Sequence, residues 1–454
     1  MSFPRYPAYK PSGVEWLGEV PEHWEFKKLK HCILRLGSGG TPESSNPEFW
    51  ADDDSEDSIP WVAIGDMSAV SRVTSTAKSL TPFGLSSKNL EIFPSGSLLY
   101  SIYASLGKVA ILGMDAAFNQ AILAILPNTQ CVSQPFLRCW LESLERHLEY
   151  YASSNTQANL NAAKVLSYPV SVPSLPEQRA IATFLDRETA KIDALIAEQQ
   201  RLIELLQEKR QAVISHAVTK GLHPDAPMKD SGVEWLGEVP EHWTVMPLRL
   251  AARIESGHTP SRSHEEYWIE KDCVYPWFTL GDVWQIRDGK AEYVFETQEK
   301  VSQVGLDNSA ARMLPANTVI LSRTASVGFS GILGVPMATT QDFVNWVCGP
   351  KIAPEFLLFV FRAMSKEFER LKYGSTHNTI YMPDIFSFRV ALPSLIEQGE
   401  IVSSVRESLR RLDGSLDDLL SSKELLQERR SALISAAVTG QIDVRGLVPE
   451  ASTA

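Results

Sequence analysis

The chain lacks the features that define several large classes of protein. It has no apolar run near the roughly eighteen residues that a membrane-spanning helix needs, and its N-terminal residues lack the apolar core of a signal peptide. Its five cysteines show no Cys-x-x-Cys spacing, which argues against a zinc ribbon and a disulfide framework. We therefore expect a cytoplasmic protein with no membrane partner, whose cysteines are buried reduced thiols.

Basic charge is also scarce. The sequence holds 43 lysines and arginines against 55 aspartates and glutamates, a formal net charge of −12. This balance excludes binding to nucleic acid through a general basic surface. A DNA-binding protein of this composition needs local cationic clusters, for which Lys27, Lys30 and Arg253 are candidates, or a partner that adds phosphate contacts.

Common catalytic motifs are missing as well. The sequence contains no phosphate-binding GxxxxGK[ST] loop, no GxGxxG loop, no HExxH motif and no GxSxG motif. The nine histidines are scattered, and His23 and His242 occupy equivalent places in a repeated segment, where packing or capping is the expected role. The sequence thus predicts a chain that is not an enzyme and holds no metal or cofactor.

What the sequence does contain is an internal repeat. The thirteen residues from Ser12 to Trp24, SGVEWLGEVPEHW, return unchanged from Ser231 to Trp243, an offset of about 219 residues. Further matched segments follow in the same order: SGGTP and SGHTP, PWVAIGD and PWFTLGD, SIYASLG and SRTASVG, PSLPEQ and PSLIEQ, and ELLQEKRQAVISHAVT and ELLQERRSALISAAVT. The chain is therefore built from two similar halves.

Each half divides into two parts. Short apolar runs punctuated by Gly, Pro and Ser, as in residues 1–175 and 221–393, predict two similar globular domains of the mixed α/β (α+β) class. Residues 176–220 and 394–445 predict long helices, because they are almost free of Pro and Gly. We expect residues 446–454 to form a disordered C-terminal tail.

The two long segments carry a heptad pattern. Apolar residues recur at alternating spacings of three and four, which is typical of a coiled-coil seam. The two helices are expected to pair with each other as an intramolecular antiparallel coiled coil in a pseudo-two-fold repeat. The predicted pairing residues are Ile192, Ile196, Ile203, Leu206, Val213, Leu412, Leu416, Leu419, Leu426 and Leu433.

The ordered set of repeated motifs resembles the specificity (S) subunit of type I restriction-modification systems, and the resemblance covers almost the whole chain. It implies that each globular domain is a target-recognition domain that reads one half of a bipartite, asymmetric double-stranded DNA sequence. The helices are then the spacer and the docking surface for two modification (methyltransferase) subunits. S-adenosylmethionine, ATP and Mg belong to partner subunits on this reading, with restriction (translocase/endonuclease) subunits completing the complex.

Candidate DNA contacts are cationic residues and polar loop residues beside segments that the two halves share. Ser, Thr, Asn, Gln and Tyr suit phosphate and base-edge contacts, and arginine suits guanine. The candidates are Lys27, Lys30, Ser38, Thr41, Tyr103, Ser105, Gln120, Thr156, Gln157, Asn159, Arg253, His258, Thr259, Arg323, Thr324, Ser326, Gln341, Thr376, His377 and Asn378. Each has a turn or capping role as its alternative.

Arg323 is the sharpest candidate, because Ile102 stands at the equivalent place in the first half. The main alternative function is a coiled-coil scaffold that bridges two protein partners without binding DNA, a role that suits the acidic charge. Specific binding to a split DNA sequence distinguishes the two functions.

Overall fold

A computed structural model describes residues 3–51, 55, 57–68, 70–103, 105–151, 160–372 and 378–447. The chain folds into two units, one of Met1–Gln199 with Ser422–Ala454 (unit 1) and one of Gln200–Ser421 (unit 2). Unit 1 therefore combines an N-terminal part and a C-terminal part of the chain. Of the predicted C-terminal tail, residues 446 and 447 lie in the described part, and Leu447 packs against the core of unit 1.

Unit 1 combines short strands with helices. The strands are β1 (Tyr9–Pro11), β2 (Glu19–Pro21), β3 (Glu25–Lys28), β4 (Ile33–Ser38), β5 (Trp50–Ala51), β6 (Ile59–Val62), β7 (Arg72–Val73), β8 (Lys78–Leu80), β9 (Leu98–Ser101), β10 (Val109–Leu112), β11 (Ala117–Phe118), β12 (Ile122–Pro127) and β13 (Pro169–Val172). The helices are α1 (Ile64–Ser68), α2 (Pro82–Ser87), α3 (Gln134–Ser143), α4 (Ala162–Leu166) and the start of the long α5 (Leu175–Lys220).

The strands of unit 1 form a five-stranded sheet in the order β4-β12-β9-β10-β7 and a four-stranded sheet in the order β11-β6-β8-β5. Strand β12 is the apolar run ILAILP and lies antiparallel to β4 and β9. Because successive side chains of a strand point to opposite faces, Leu123 and Ile125 enter one hydrophobic core while Ile122 and Ala124 enter another. Burial on both faces explains why this strand is continuously apolar.

Unit 2 repeats the five-stranded sheet of unit 1 and has a smaller second sheet. Its strands are β14 (Met228–Asp230), β15 (Glu238–Pro240), β16 (Thr244–Pro247), β17 (Ala252–Ser256), β18 (Cys273–Phe278), β19 (Tyr293–Val294), β20 (Glu299–Ser302), β21 (Thr318–Ser322), β22 (Ser330–Leu333), β23 (Ala338–Thr339), β24 (Phe343–Cys348) and β25 (Arg389–Leu392). Its helices are α6 (Gln303–Asp307), α7 (Pro354–Ala363), α8 (Ser365–Lys372), α9 (Met382–Ser387) and the first part of α10 (Leu395–Val438). The five-stranded sheet β17-β24-β21-β22-β19 has the order of its counterpart in unit 1.

The repeated EQ dipeptide explains how each long helix begins. In unit 1 the buried Glu177 carboxylate accepts a hydrogen bond from Trp24 Nε1 at 3.1 Å, and His23 Nε2 lies 3.1 Å from it. In unit 2 Trp243 Nε1 donates to Glu397 at 2.9 Å. The identical EVPEHW segments therefore anchor the start of the long helices, and the structural role expected for the histidines is confirmed at His23.

The neighbouring glutamines complete the anchor. Gln178 is fully buried, donates to the Cys131 carbonyl at 3.0 Å and accepts from the Ser133 N–H at 2.7 Å. Gln398 bonds the Lys351 carbonyl and the Ala353 N–H in the same way. A buried amide with both ends satisfied fixes the direction of the helix relative to the turn before α3 or α7.

Candidate nucleic-acid interface

In unit 1 the SGGTP loop packs closely on the segment that leads into β12. A Cβ atom at Gly39 would lie 2.1 Å from the Asn119 carbonyl oxygen, so this approach requires glycine. The Gly40 N–H donates to the Phe118 carbonyl at 2.9 Å. This junction brings the Thr41 hydroxyl onto the side-chain oxygen of Gln120, two predicted contact residues that are 79 positions apart.

Unit 2 builds the same junction from different residues. A Cβ atom at Gly257 would lie 2.1 Å from the Thr340 carbonyl oxygen, and the His258 N–H donates to the Thr339 carbonyl at 2.9 Å. The Thr259 hydroxyl donates to Gln341 Oε1 at 2.7 Å. Both units therefore present a bonded threonine–glutamine pair at equivalent positions.

Tryptophan side chains hold these loops by donating hydrogen bonds to loop carbonyls. In unit 1, Trp61 Nε1 donates to the Gly40 carbonyl at 3.0 Å and Trp50 Nε1 donates to the Glu43 carbonyl at 3.2 Å. In unit 2, Trp268 Nε1 donates to the Ser261 carbonyl at 3.1 Å. These bonds explain the tryptophan that follows each SGxTP motif in the sequence.

Trp50 and Trp268 each also make a cation–π contact, which the sequence did not predict. Lys78 Nζ lies 5.0 Å from the centre of the Trp50 ring, and the Arg262 guanidinium lies 3.9 Å from the Trp268 ring while pairing with Glu299. Lys78 reaches Trp50 by strand pairing between β5 and β8, whereas Arg262 comes from the loop itself. No spacing in the sequence signals these contacts.

Arg323 and Ile102 occupy the same backbone position with opposite side-chain environments. The Arg323 N–H donates to the Asp342 carbonyl at 2.8 Å, and the Ile102 N–H donates to the Ala121 carbonyl at 2.8 Å. The Ile102 side chain is 6% exposed and belongs to the core, whereas Arg323 Nε donates to the Gln341 carbonyl at 3.0 Å on the surface. Arg323 therefore joins the threonine–glutamine pair of unit 2.

The turn after Arg323 holds two further candidates. The Ser326 N–H donates to the Thr324 carbonyl at 2.7 Å, across Ala325, which has a φ of +59°. Thr324 bridges to Thr379, next to Asn378, which has a φ of +47°. Two non-glycine residues with positive φ mark a backbone that is held by its surroundings.

The equivalent turn of unit 1 carries different residues. Tyr103 is exposed, and the Ser105 carbonyl accepts a hydrogen bond from the Ser101 hydroxyl. The predicted contacts Thr156, Gln157, Asn159, Thr376 and His377 lie outside the described residues.

Other predicted contacts lie away from this cluster. Lys27 lies on β3, which pairs with β13 rather than with the five-stranded sheet, and the Glu25 carboxylate at 2.7 Å raises its pKa. Lys30 follows in a short 3₁₀ turn. Arg253 lies 3.0 Å from Glu255 on β17. Ser38, by contrast, ends β4 and begins the SGGTP loop beside Gly39.

The long helices pair antiparallel within each unit. In unit 1, Ile181 and Leu185 near the start of α5 share a core with Ala437 near the end of α10. Further along, Arg430 Nε donates to Asp193 at 2.7 Å, and Arg430 Nη1 donates to Glu142 at 2.6 Å. Early residues of one helix thus meet late residues of the other.

Unit 2 shows the same pairing with the remaining parts of the helices. Ile214 and Ala217 of α5 share a core with Val405 and Ile401 of α10. The predicted coiled coil is confirmed, and all its predicted seam residues are buried or half-buried: Ile192, Ile196, Ile203, Leu206, Val213, Leu412, Leu416, Leu419, Leu426 and Leu433. Leucines beside the seam, such as Leu205 and Leu425, are exposed.

Within the described part of the chain, none of the helices combines the length and the apolar character needed to cross a membrane. In the same residues, no three His, Cys, Asp or Glu side chains come together as a metal site.

Comparison with known proteins identifies the class. A family model described as the type I restriction modification DNA specificity domain matches residues 21–205 and 240–413, and the chain belongs to this family. The resemblance predicted from the repeated motifs is confirmed. The family gives the chain a role in DNA sequence specificity, and nothing in the comparisons supports the scaffold alternative. Specificity subunits are not catalytic, which agrees with the predicted absence of enzyme activity.

Some relatives match nearly end to end, and others match over part of the chain. The chain is 26% identical over 444 residues to the MjaIX specificity subunit of Methanocaldococcus jannaschii, covering 95% of this chain and 96% of the relative. It is 32% identical to the HindI specificity subunit of Haemophilus influenzae over 158 residues, 34% of this chain and 33% of the relative. A solved chain from a study of assembly and conformational transition in the type I R-M system aligns with a TM-score of 0.68 at 15% identity, covering 92% of this chain and 98% of that chain. This likeness shows a shared fold.

Proposed function

We propose that this chain is the subunit that selects the DNA target of a type I restriction-modification complex, with each unit reading one half of a split, asymmetric sequence. The observation that carries the proposal is the position shared by Ile102 and Arg323. The same backbone hydrogen bond holds both residues, yet one side chain is buried and the other lies beside the loop junction. A common scaffold with different surface chemistry is what two different half-sites require.

Docking of two modification subunits is supported by a duplicated surface on the helices. The pentapeptide ELLQE occurs at 204–208 and at 424–428. Its second leucine, Leu206 or Leu426, is half-buried in the seam, while its first, Leu205 or Leu425, is 48% or 65% exposed. Two exposed leucines in the same pentapeptide, at equivalent places in the two halves, suit two copies of one partner.

Chemistry belongs to the partners in this proposal. The modification subunits methylate adenine with S-adenosylmethionine, and restriction subunits use ATP and Mg to translocate and cut DNA. The chain itself needs no cofactor. The complex acts in the cytoplasm, where the chromosome is accessible.

Selection from random DNA tests the proposal. The chain is purified together with its modification subunits and used to enrich binding sequences from a pool of random duplexes. One interrupted motif whose two halves differ is the expected result. Enrichment of no sequence, with the complex intact, contradicts the proposal and favours the scaffold function.

A further inference from the structure

The threonine–glutamine pair is shared by two units that otherwise differ at their exposed loops. Thr41 bonds Gln120 in unit 1, and Thr259 bonds Gln341 in unit 2. Both glutamines are exposed and immediately precede the residue that leads into β12 or β24. The close glycine approach beneath each pair, at Gly39 or Gly257, holds it in the same place on both units.

The direction of the hydrogen bond fixes what each pair presents. The threonine hydroxyl donates to the glutamine side-chain oxygen, so the glutamine amide nitrogen, with its two N–H donors, is directed away from the threonine. Among the described residues, neither amide nitrogen has a hydrogen-bond partner. The pair therefore offers donors to a ligand that accepts.

A feature common to both units cannot distinguish two different half-sites. Contacts to phosphate oxygens position a protein on DNA without reading its sequence, whereas contacts to base edges specify. Phosphate oxygens accept hydrogen bonds and do not donate, and they are present at every position of the duplex. Phosphate oxygens can therefore accept from the glutamine N–H groups, and they are available to the pair in both units.

We propose that Gln120 and Gln341, each held by its threonine, donate to DNA phosphate oxygens and set the position of each unit on its half-site. Sequence is then read by positions that differ, such as Arg323 and its neighbours. This inference rests on the proposed function and assigns a positioning role within it.

Binding of the complex with its modification subunits to labelled duplexes tests the role. Affinities are measured for the selected target and for duplexes with single-base changes at each specified position. Gln120→Ala and Gln341→Ala are each expected to weaken binding by about 2- to 10-fold, the range of one neutral hydrogen bond. The loss is expected to be equal on every duplex, so that discrimination between bases stays as in wild type.

Substitution of each glutamine by glutamate keeps the bond to the threonine but changes the group that is directed at the DNA. Gln120→Glu and Gln341→Glu retain an oxygen that accepts from the threonine hydroxyl but replace the donors with a negative charge. Repulsion by phosphate is expected to make these losses larger than those of the alanine variants. Gln130→Ala, an exposed glutamine after the opposite end of β12, serves as the control and is expected to bind as wild type.

The outcomes separate cleanly. A loss confined to one base position makes the glutamine a base reader and overturns the inference. Wild-type affinity for both the alanine and the glutamate variants, in complexes with an unchanged unfolding temperature, leaves the pair as a loop brace and also overturns it. If the wild-type complex selects no split sequence, the proposed function fails first, which is a different result.

Discussion

Arg210 Nε donates to Asp413 Oδ1 over 3.0 Å, and both side chains are largely buried between the helices of unit 2. The arginine occupies a seam position of the heptad pattern, where an apolar residue is the usual choice. Unit 1 contains the same bond from the opposite helices, Arg430 to Asp193 at 2.7 Å. The repeat therefore places an arginine–aspartate ion pair between the helices of each unit, and this pair is more buried in unit 2 than in unit 1, where Asp193 is half exposed.

Removing one partner of this pair is expected to destabilise the protein. Arg210→Ala leaves Asp413 without its main counter-charge, so the free energy of unfolding is predicted to fall by about 1 to 3 kcal/mol. Replacing both partners by apolar residues, Arg210→Met with Asp413→Leu, is expected to recover most of that loss. Denaturant unfolding of the wild type and of the two variants measures both quantities. A double variant less stable than the single one contradicts this account.

Charge in the seam is predicted to disrupt helix pairing. Leu416 is 8% exposed, and Leu416→Glu with Leu419→Glu places two carboxylates where the helices pack. We expect loss of the folded coiled coil and of the complex with modification subunits on a sizing column. The matched control is Leu420→Glu, since Leu420 is 46% exposed beside the seam and is expected to leave the unfolding temperature unchanged. If the double variant and Leu420→Glu have the same unfolding temperature and form the same complex, Leu416 and Leu419 do not form the seam.

The duplicated leucine surface predicts partner stoichiometry. Leu205→Lys or Leu425→Lys alone is expected to remove one copy of the modification subunit, and the double variant both copies, because each leucine serves one copy. Light scattering of the purified complexes gives the mass and hence the count. Retention of both copies by the double variant places the docking surface elsewhere.

Specificity in the second half-site is predicted to depend on Arg323. Arg323→Ala should cost about 1 to 3 kcal/mol at one base pair and leave the other half-site unaffected. Competition binding with single-base target variants measures this. Equal weakening on all sequences reduces Arg323 to a phosphate contact, and unchanged binding removes it from the interface.

The architecture was largely predictable from the sequence, because it depends on the local spacing of apolar residues and on the internal repeat. The heptad pattern predicted the long helices and their pairing. Apolar runs, such as the one that forms β12, indicated the central strands. Phe136, Trp140, Leu144 and Leu148 recur at helical spacing and predict one helix, which the structure confirms only in part. Helix α3 ends at Ser143, and the chain continues as a 3₁₀ helix over Leu144–Tyr150.

The site was less predictable because its bonds join distant parts of the chain. Sequence comparison of the halves selected Thr41, Gln120, Thr259 and Gln341 singly, but their pairing depends on a loop junction that forms only in the fold. The cation of Lys78 on Trp50 arises from strand register, which has no signature in either residue. Lys27 was predicted as a contact because of its positive charge, but the Glu25 carboxylate neutralises that charge locally.

The central claim, that this chain selects a split DNA target, is tested most directly by mapping N6-methyladenine across the genome of the source cell with and without the gene. The account predicts that one interrupted, asymmetric motif loses its methylation on deletion and regains it when the gene is restored. A methylation map that is the same in both cells, with the modification subunits expressed, would contradict the account.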